Sequence, residues 1–247
     1  MTGRRLLVLL LALLMAGVTQ AQRRGGRSTL PHNPGYSDRF VFTRIQYGSS
    51  AFWGRGGSRW SHDYPRADQH LSRLLHELTT MQVELDATNV LTLDDPDLFR
   101  FPVIYISEPG FWTMTDEQVP RLRDYVLKGG FLIFDDFERE QWVNLEQQLQ
   151  RALPEYRPIQ IDVSHPIFHS FFEMESIDFP HPLVPVMPSY YALFEDNDPA
   201  SRMLAIINYN NDIAEYWEWS DTDWLPIDIT NEAYKLGINY MIYALTH

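Results

Sequence analysis

The stretch Lys128–Asp136, "KGGFLIFDD", decides the fold. Four apolar residues, Phe131–Phe134, follow a glycine pair and end on adjacent carboxylates. A short apolar run without alternation reads as a strand buried on both faces, as in parallel sheets covered by helices. Just upstream, "TDEQ" at Thr115–Gln118 forms a capping box. The Thr115 hydroxyl can accept from a first-turn N–H while the Gln118 side chain reaches back. The helix continues through Val119, Leu122 and Val126, with Lys128 at its C-terminus and Gly129 as a left-handed stop.

The same rhythm extends in both directions. "RFVFTRIQYG", Arg39–Gly48, is rich in β-branched and aromatic residues and reads as a strand. Leu71, Leu74, Leu75 and Leu78 fall on one helical face, and Pro65 sits near that helix's start. "FPVIYIS", Phe101–Ser107, is a second buried strand. "REQWVNLEQQLQRAL" is a helix closed by Pro154, and "PIQID" is a short fourth strand. Strands alternating with helices imply a mainly parallel sheet with helices on both faces. Ser164–Pro199, rich in proline and aromatics, reads as an insertion over one edge. "MLAIINY", Met203–Tyr209, is a further strand. "NNDIAEYWEW" fits either its hairpin partner or a helix, with the strand preferred. A C-terminal helix begins at Thr230.

The N-terminus has a different character. Arg4 and Arg5 precede the apolar run Leu6–Ala16, and small residues follow up to Ala21. This is the pattern of a signal peptide, residues 1–21, cleaved near Ala21. The run is shorter than the roughly 20 residues a bilayer requires, so the mature chain is expected to have no membrane span and to work in the periplasm or outside the cell. Residues 22–38 read as a flexible N-terminal segment, and residues 39–247 as a single α/β domain. With no cysteine the chain has neither disulfides nor thiolate chemistry, and stability rests on a core. A formal net charge of −13 repels phosphate backbones, which argues against nucleic acid as a partner.

In an open parallel sheet, ligands bind at the carboxyl ends of the strands. Tyr47 and Gly48 follow the first strand, Glu108 the second, Asp135 and Asp136 the third, and Asp162 and His165 the fourth. Adjacent residues of a strand point to opposite faces, so one of Asp135 and Asp136 at most aims into a crevice. Asp136 is expected to cap loop or helix amides, and Asp135 either does the same or faces a ligand. The candidate catalytic residues are therefore Asp135, Glu108 and His165. The candidate ligand-binding residues are Tyr47, Asp135, Asp136 and Trp60. Trp53, Trp60, Trp112 and Trp217 offer either sugar-stacking surfaces or core packing. His165 and His169 are four apart, but Pro166 places His165 ahead of any helix and no carboxylate follows at a ligating interval, so no metal and no cofactor is expected. "SHDYP" reads as a polar loop, since His62 and Asp63 are too close in sequence to orient each other easily. "FWGRGGSRW" reads as a lid anchored by Trp53 and Trp60. G-x-S-x-G and H-E-x-x-H are both missing, and Ser107 lacks the small neighbours of a nucleophile elbow.

"FTRIQYG", "SHDYPRADQHL", "LKGGFLIFDDF" and "SHPIF" together resemble the domain of unknown function 4159 family, over roughly Arg39–His247. The resemblance implies a three-layer sandwich, flavodoxin-like, as in class I glutamine amidotransferases. It also implies a setting beside MoxR-type ATPases and von Willebrand factor A domain proteins, in a cell-envelope assembly. The amidotransferase reaction needs a cysteine that this chain lacks, so that activity does not carry over. Two functions are expected from this reading. The first is a non-catalytic binding or envelope-assembly module with protein partners, its surface lying in Phe168–Tyr191. The second is a hydrolase or lyase acting on a small polar or carbohydrate-like substrate through strand-end carboxylates and a histidine.

Overall fold

The computed structural model describes residues 33–34, 37–48 and 58–247. The expected signal peptide, most of the expected lead-in and the Gly-rich stretch with Trp53 lie outside the described residues. The elements are β1 (Thr43–Ile45), α1 (Arg66–Leu78), β2 (Asn89–Leu91), β3 (Val103–Ser107), α2 (Gln118–Leu127), β4 (Phe131–Phe137), α3 (Trp142–Ala152), β5 (Ile159–Ile161), β6 (Ser189–Phe194), β7 (Met203–Tyr209), α4 (Ile213–Glu218) and α5 (Ile227–Thr246). They build one seven-stranded sheet in the order β2-β1-β3-β4-β7-β6-β5. β2, β1, β3, β4 and β7 run parallel, β6 is antiparallel to β7, and β5 is antiparallel to β6. No helix among the described residues is long and apolar enough to cross a membrane.

Side-chain alternation along the buried strands divides the core in two. Ile104, Ile106, Leu132 and Phe134 pack with Leu122 and Val126 of α2 and Leu145 and Leu149 of α3. Tyr105 and Ile133 face the other way, against Leu71 and Leu75 of α1, Trp217 of α4 and Tyr240 of α5. The sheet is therefore the middle of three layers, as the sequence pattern implies. The capping box forms as expected, with Gln118 N donating to Thr115 Oγ1 at 3.3 Å and Thr115 N to Gln118 Oε1 at 3.1 Å.

Four expectations change. "PIQID", read as the fourth strand of the series, becomes β5 at the far edge of the sheet, and Met203–Tyr209 is the strand beside β4. The region beyond Ser164 is not simply an insertion, because it contributes β6 to the sheet. "NNDIAEYWEW" is helical, since the Asp212 carboxylate accepts from Glu215 N and starts α4 where a hairpin was expected. Asn33, in the supposed lead-in, pairs with β2 like a strand residue: its Nδ2 donates to Val90 O at 2.9 Å and its Oδ1 accepts from Val90 N at 2.8 Å.

α5 approaches α1 and α4 closely at Gly237, where a Cβ atom would lie 2.5 Å from Trp217 Cζ2 and 3.0 Å from Leu71 Cδ1. In an open helix interior Gly→Ala stabilises by up to about 1 kcal/mol. Here overpacking reverses the sign: Gly237→Ala is expected to destabilise the fold by about 1–3 kcal/mol, read by urea denaturation. A stabilised variant would contradict this packing.

Candidate functional site at the strand ends

The inward residues near the carboxyl ends of the central strands are polar on one face only. Arg44 of β1 lies level with Tyr105 of β3, and Asp135 of β4 and Asn208 of β7 lie one pleat further along. All four are buried. They form a hydrogen-bonded layer over the Leu71–Trp217 core.

Arg44 has no accessible side-chain surface, and nor has its partner Asp68 of α1. Its Nη2 donates to Asp68 Oδ1 at 2.6 Å and its Nε to Oδ2 at 3.3 Å, a bidentate pair. Nη1 donates to the carbonyls of Trp60 at 3.0 Å and His62 at 2.6 Å. The guanidinium also lies 4.8 Å from the centre of the Tyr105 ring. One buried cation thus ties β1 to α1 and fixes the 60–62 backbone over the sheet.

Asp135 is the other internal hub. Tyr105 Oη donates to its Oδ2 at 2.8 Å and Asn208 Nδ2 to its Oδ1 at 3.1 Å. Ile213 N and Ala214 N donate to Oδ2 at 3.1 Å each, so Asp135 receives the first turn of α4. Asp135 therefore takes the amide-capping role that was one of its two expected readings, whereas Asp136, expected to cap, faces the site. The cause is a bulge. β4 pairs with β7 from Leu132 to Phe134 and again at Phe137, with the register shifted between them. Asp136 sits in that shift with φ +64°.

Above this layer four groups converge. His62, Asp63, Asp136 and Asp212 each offer a ligand atom within 4.8 Å of the others. His62 Nδ1 is 2.7 Å from Asp136 Oδ2 and 3.7 Å from Asp63 Oδ1. The hydrogen bond to Asp136 holds the imidazole up to about 10, against the opposing effect of burial. Burial, reinforced by the charge of Asp136, pushes Asp63 and Asp212 well above the usual carboxylate range. Both oxygens of Asp63, and Oδ2 of Asp212, are buried without a hydrogen-bond partner. The second face of Asp63 meets two more carboxylates, Glu215 and Glu218.

Glu108 borders this cluster. Its Oε1 accepts from Arg59 Nη1 at 3.0 Å, while Oε2 is buried and unpartnered. Burial, then the nearby charge of Asp136, raises its carboxyl to about 7. Tyr47 Oη donates to the carbonyls of Ser107 at 2.7 Å and Glu108 at 2.8 Å, which braces this turn. His181 completes the rim. Its Nδ1 accepts from Leu183 N at 3.1 Å and Val184 N at 3.3 Å, so Nε2 carries the hydrogen, and that atom is buried and unpartnered. Asp136 and His62 both act on the charge of His181, and burial lowers its pKa.

Three of these residues, Asp63, Glu108 and Asp136, have left-handed backbones with φ of +61°, +46° and +64°. Each costs on the order of 1 kcal/mol for a residue with a Cβ. Such strain persists where surrounding structure over-determines it, and here it coincides with the carboxylates of the rim.

Other sequence candidates lie elsewhere. His165 is not at the rim: its Nδ1 accepts from Ile167 N, and its ring packs 5.5 Å from Phe194 and 6.0 Å from Tyr243. Phe194 pairs with Met203, at the start of β7 and the opposite end of the sheet. The chain reverses after β5 because Asp162 accepts from Ser164 N and Oγ. Trp60 is buried beside Tyr64 and offers no stacking face; only its carbonyl serves the site. Trp112 and Trp217 are core residues. Ser107 is buried and its Oγ donates to Asp136 Oδ2 at 3.3 Å, so it is not an exposed nucleophile. Within Phe168–Tyr191, Phe168, Met174, Ile177 and Phe179 are core, whereas Phe171, Leu183 and Met187 are exposed.

The architecture and rim define an α/β sandwich with an acidic, imidazole-bearing cluster at the carboxyl ends of its parallel strands. The chain belongs to the family described as Domain of unknown function (DUF4159), whose model matches residues 41–245. No curated protein matches the chain.

Removing one partner of a buried ion pair strands the other's charge. Arg44→Met is therefore expected to cost about 3–5 kcal/mol in urea denaturation, and the double variant Arg44→Met/Asp68→Leu to recover much of it. A single-variant cost under about 1 kcal/mol would remove Arg44 from its anchoring role.

Proposed function

We propose that this chain is an exported enzyme whose strand-end cluster performs acid–base chemistry on a small polar substrate, most simply a hydrolysis. The observation that carries this reading is Glu108: a carboxyl with one orphaned oxygen, raised to about 7, beside the His62–Asp136 pair. A group that titrates near neutrality both accepts and returns a proton efficiently at physiological pH. Glu108 Oε2 would take the proton from an attacking water. The imidazolium of His62, held by Asp136, would offset the negative charge that develops on the substrate oxygen. His181 Nε2–H supplies a further donor, and its unpartnered state gives a bound polar group something to satisfy. Water is the natural nucleophile for a chain without cysteine and with Ser107 buried. The basic, then apolar, then small-residue order of the first 21 residues supports export.

A binding role in an envelope assembly is favoured by a different observation. Leu183 and Met187 are exposed on the segment that carries His181, so a partner seated there would meet the rim. Turnover separates the two readings. With a panel of small chromogenic esters, amides and glycosides, the wild type is expected to turn over at least one class. Glu108→Gln should lower that rate about 10²–10⁴-fold with an unchanged circular dichroism spectrum. A wild type inert across the panel, or a Glu108→Gln rate equal to wild type, overturns the enzymatic reading.

A further inference from the structure

The acid–base reading leaves the inner half of the cluster unexplained. Asp63 and Asp212 are buried, at 4% and 1% exposure; Asp212 Oδ1 accepts from Glu215 N, and the other three oxygens have no N–H donor, Asp63 meeting only the carboxyls of Glu215 and Glu218 and the flank of His62. The guanidinium that acts on Asp63, that of Arg44, is already engaged bidentately by Asp68. His62 lends its one charge first to Asp136. The shortfall is therefore of positive charge, within a set of oxygens fixed from three directions. Asp136 is placed by the β4 bulge, Asp212 by its own bond to Glu215 N, and Asp63 by the segment that Arg44 clamps.

We propose that His62, Asp63, Asp136 and Asp212 bind one divalent first-row transition ion. This deepens the proposed function, since it concerns the same cluster: the ion, held by neutral His62, takes over from the imidazolium the task of offsetting charge on the substrate oxygen beside Glu108. The donor set of one imidazole and three carboxylates suits Mn²⁺ or Zn²⁺ better than a soft ion, which would seek thiolates, or an all-oxygen site of the Ca²⁺ kind. The ligand atoms lie within 4.8 Å of one another. Around an ion at about 2.1 Å they would be roughly 3.4 Å apart, so binding draws the more distant atoms inward and parts His62 Nδ1 from Asp136 Oδ2, now 2.7 Å away, replacing their hydrogen bond. A Glu–Asp cleft elsewhere, lined by Glu173, Glu175, Asp178 and Glu232, contains none of the unpartnered buried atoms found among the described residues and is not a comparable site.

The test uses the chelator-treated full chain and MnCl₂ or ZnCl₂ alone, with calorimetric titration and thermal melting. One ion per chain is expected to bind, raising the melting temperature by roughly 5–10 °C at a hundredfold excess over the dissociation constant. Asp63→Asn and Asp212→Asn should each melt at or above the metal-free wild type, because they remove buried like charge, and yet lose at least tenfold in ion affinity. Glu175→Gln, exposed and remote, should respond like wild type. Absence of binding to the wild type overturns the proposal, as does a response that survives in both asparagine variants; the wild-type titration decides even if a variant fails to fold. Loss of turnover in Glu108→Gln without ion binding to the wild type would overturn the ion alone. An ion that binds as described to a protein without turnover would overturn the acid–base reading alone.

Discussion

Everything at the strand ends depends on the buried guanidinium of Arg44. An arginine inside a strand of the central sheet is tolerable only if its charge is met, and Asp68 meets it bidentately from α1. The remaining donors then reach the carbonyls of Trp60 and His62. A loop that would otherwise wander over the sheet is fastened at two successive points, and the next residues, His62 and Asp63, are delivered to the rim. Lysine in its place would offer one compact charge and no fork, and so could not hold helix and loop together.

The two faces of the sheet do different work. On the α2–α3 face the strands are apolar through Phe134. On the other, the apolar core gives way toward the carboxyl ends to Arg44, Tyr105, Asp135 and Asn208, each hydrogen-bonded. That layer supports a second one whose polar groups are incompletely satisfied and whose backbone is strained. A fully satisfied layer beneath an unsatisfied one is the arrangement expected of a site: the support is rigid, and the open valences belong to whatever binds. The bulge in β4 makes this possible, because it turns Asp136 away from the sheet while Asp135 stays inside it.

Much of the scaffold was legible in the sequence. Apolar runs of unalternating character located β3, β4 and β7, and the leucine spacing located α1. The strand ends also singled out Tyr47, Glu108 and the Asp135–Asp136 pair, though Asp136 was expected to cap amides. What failed to show was long-range. β6 is hidden because its residues sit among prolines and its pairing is with a strand that follows it. α4 read as a strand because a six-residue helix has little periodicity and its capping comes partly from Asp135, distant in sequence. His165 was favoured over His62 because it follows the fourth expected strand, whereas the chain turns back after β5 and carries it to the other end of the sheet. His62 and Asp63 were set aside as neighbours unable to orient each other; in fact each meets a group on another element. The one local clue was Arg44 itself, a charge inside an otherwise buried strand, with Asp68 waiting in the next helix. His181 had no sequence signal beyond its place between two prolines.

The central claim is that the rim's unsatisfied carboxylates form one binding centre with His62. Anomalous diffraction at the manganese edge, from crystals soaked in Mn²⁺, examines that directly. The account predicts a single strong peak about 2.2 Å from oxygens of Asp63, Asp136 and Asp212 and from a His62 nitrogen. A map without a peak there, with His62 still hydrogen-bonded to Asp136 and the Asp63 carboxyl bridged by a proton to Glu215, would contradict it.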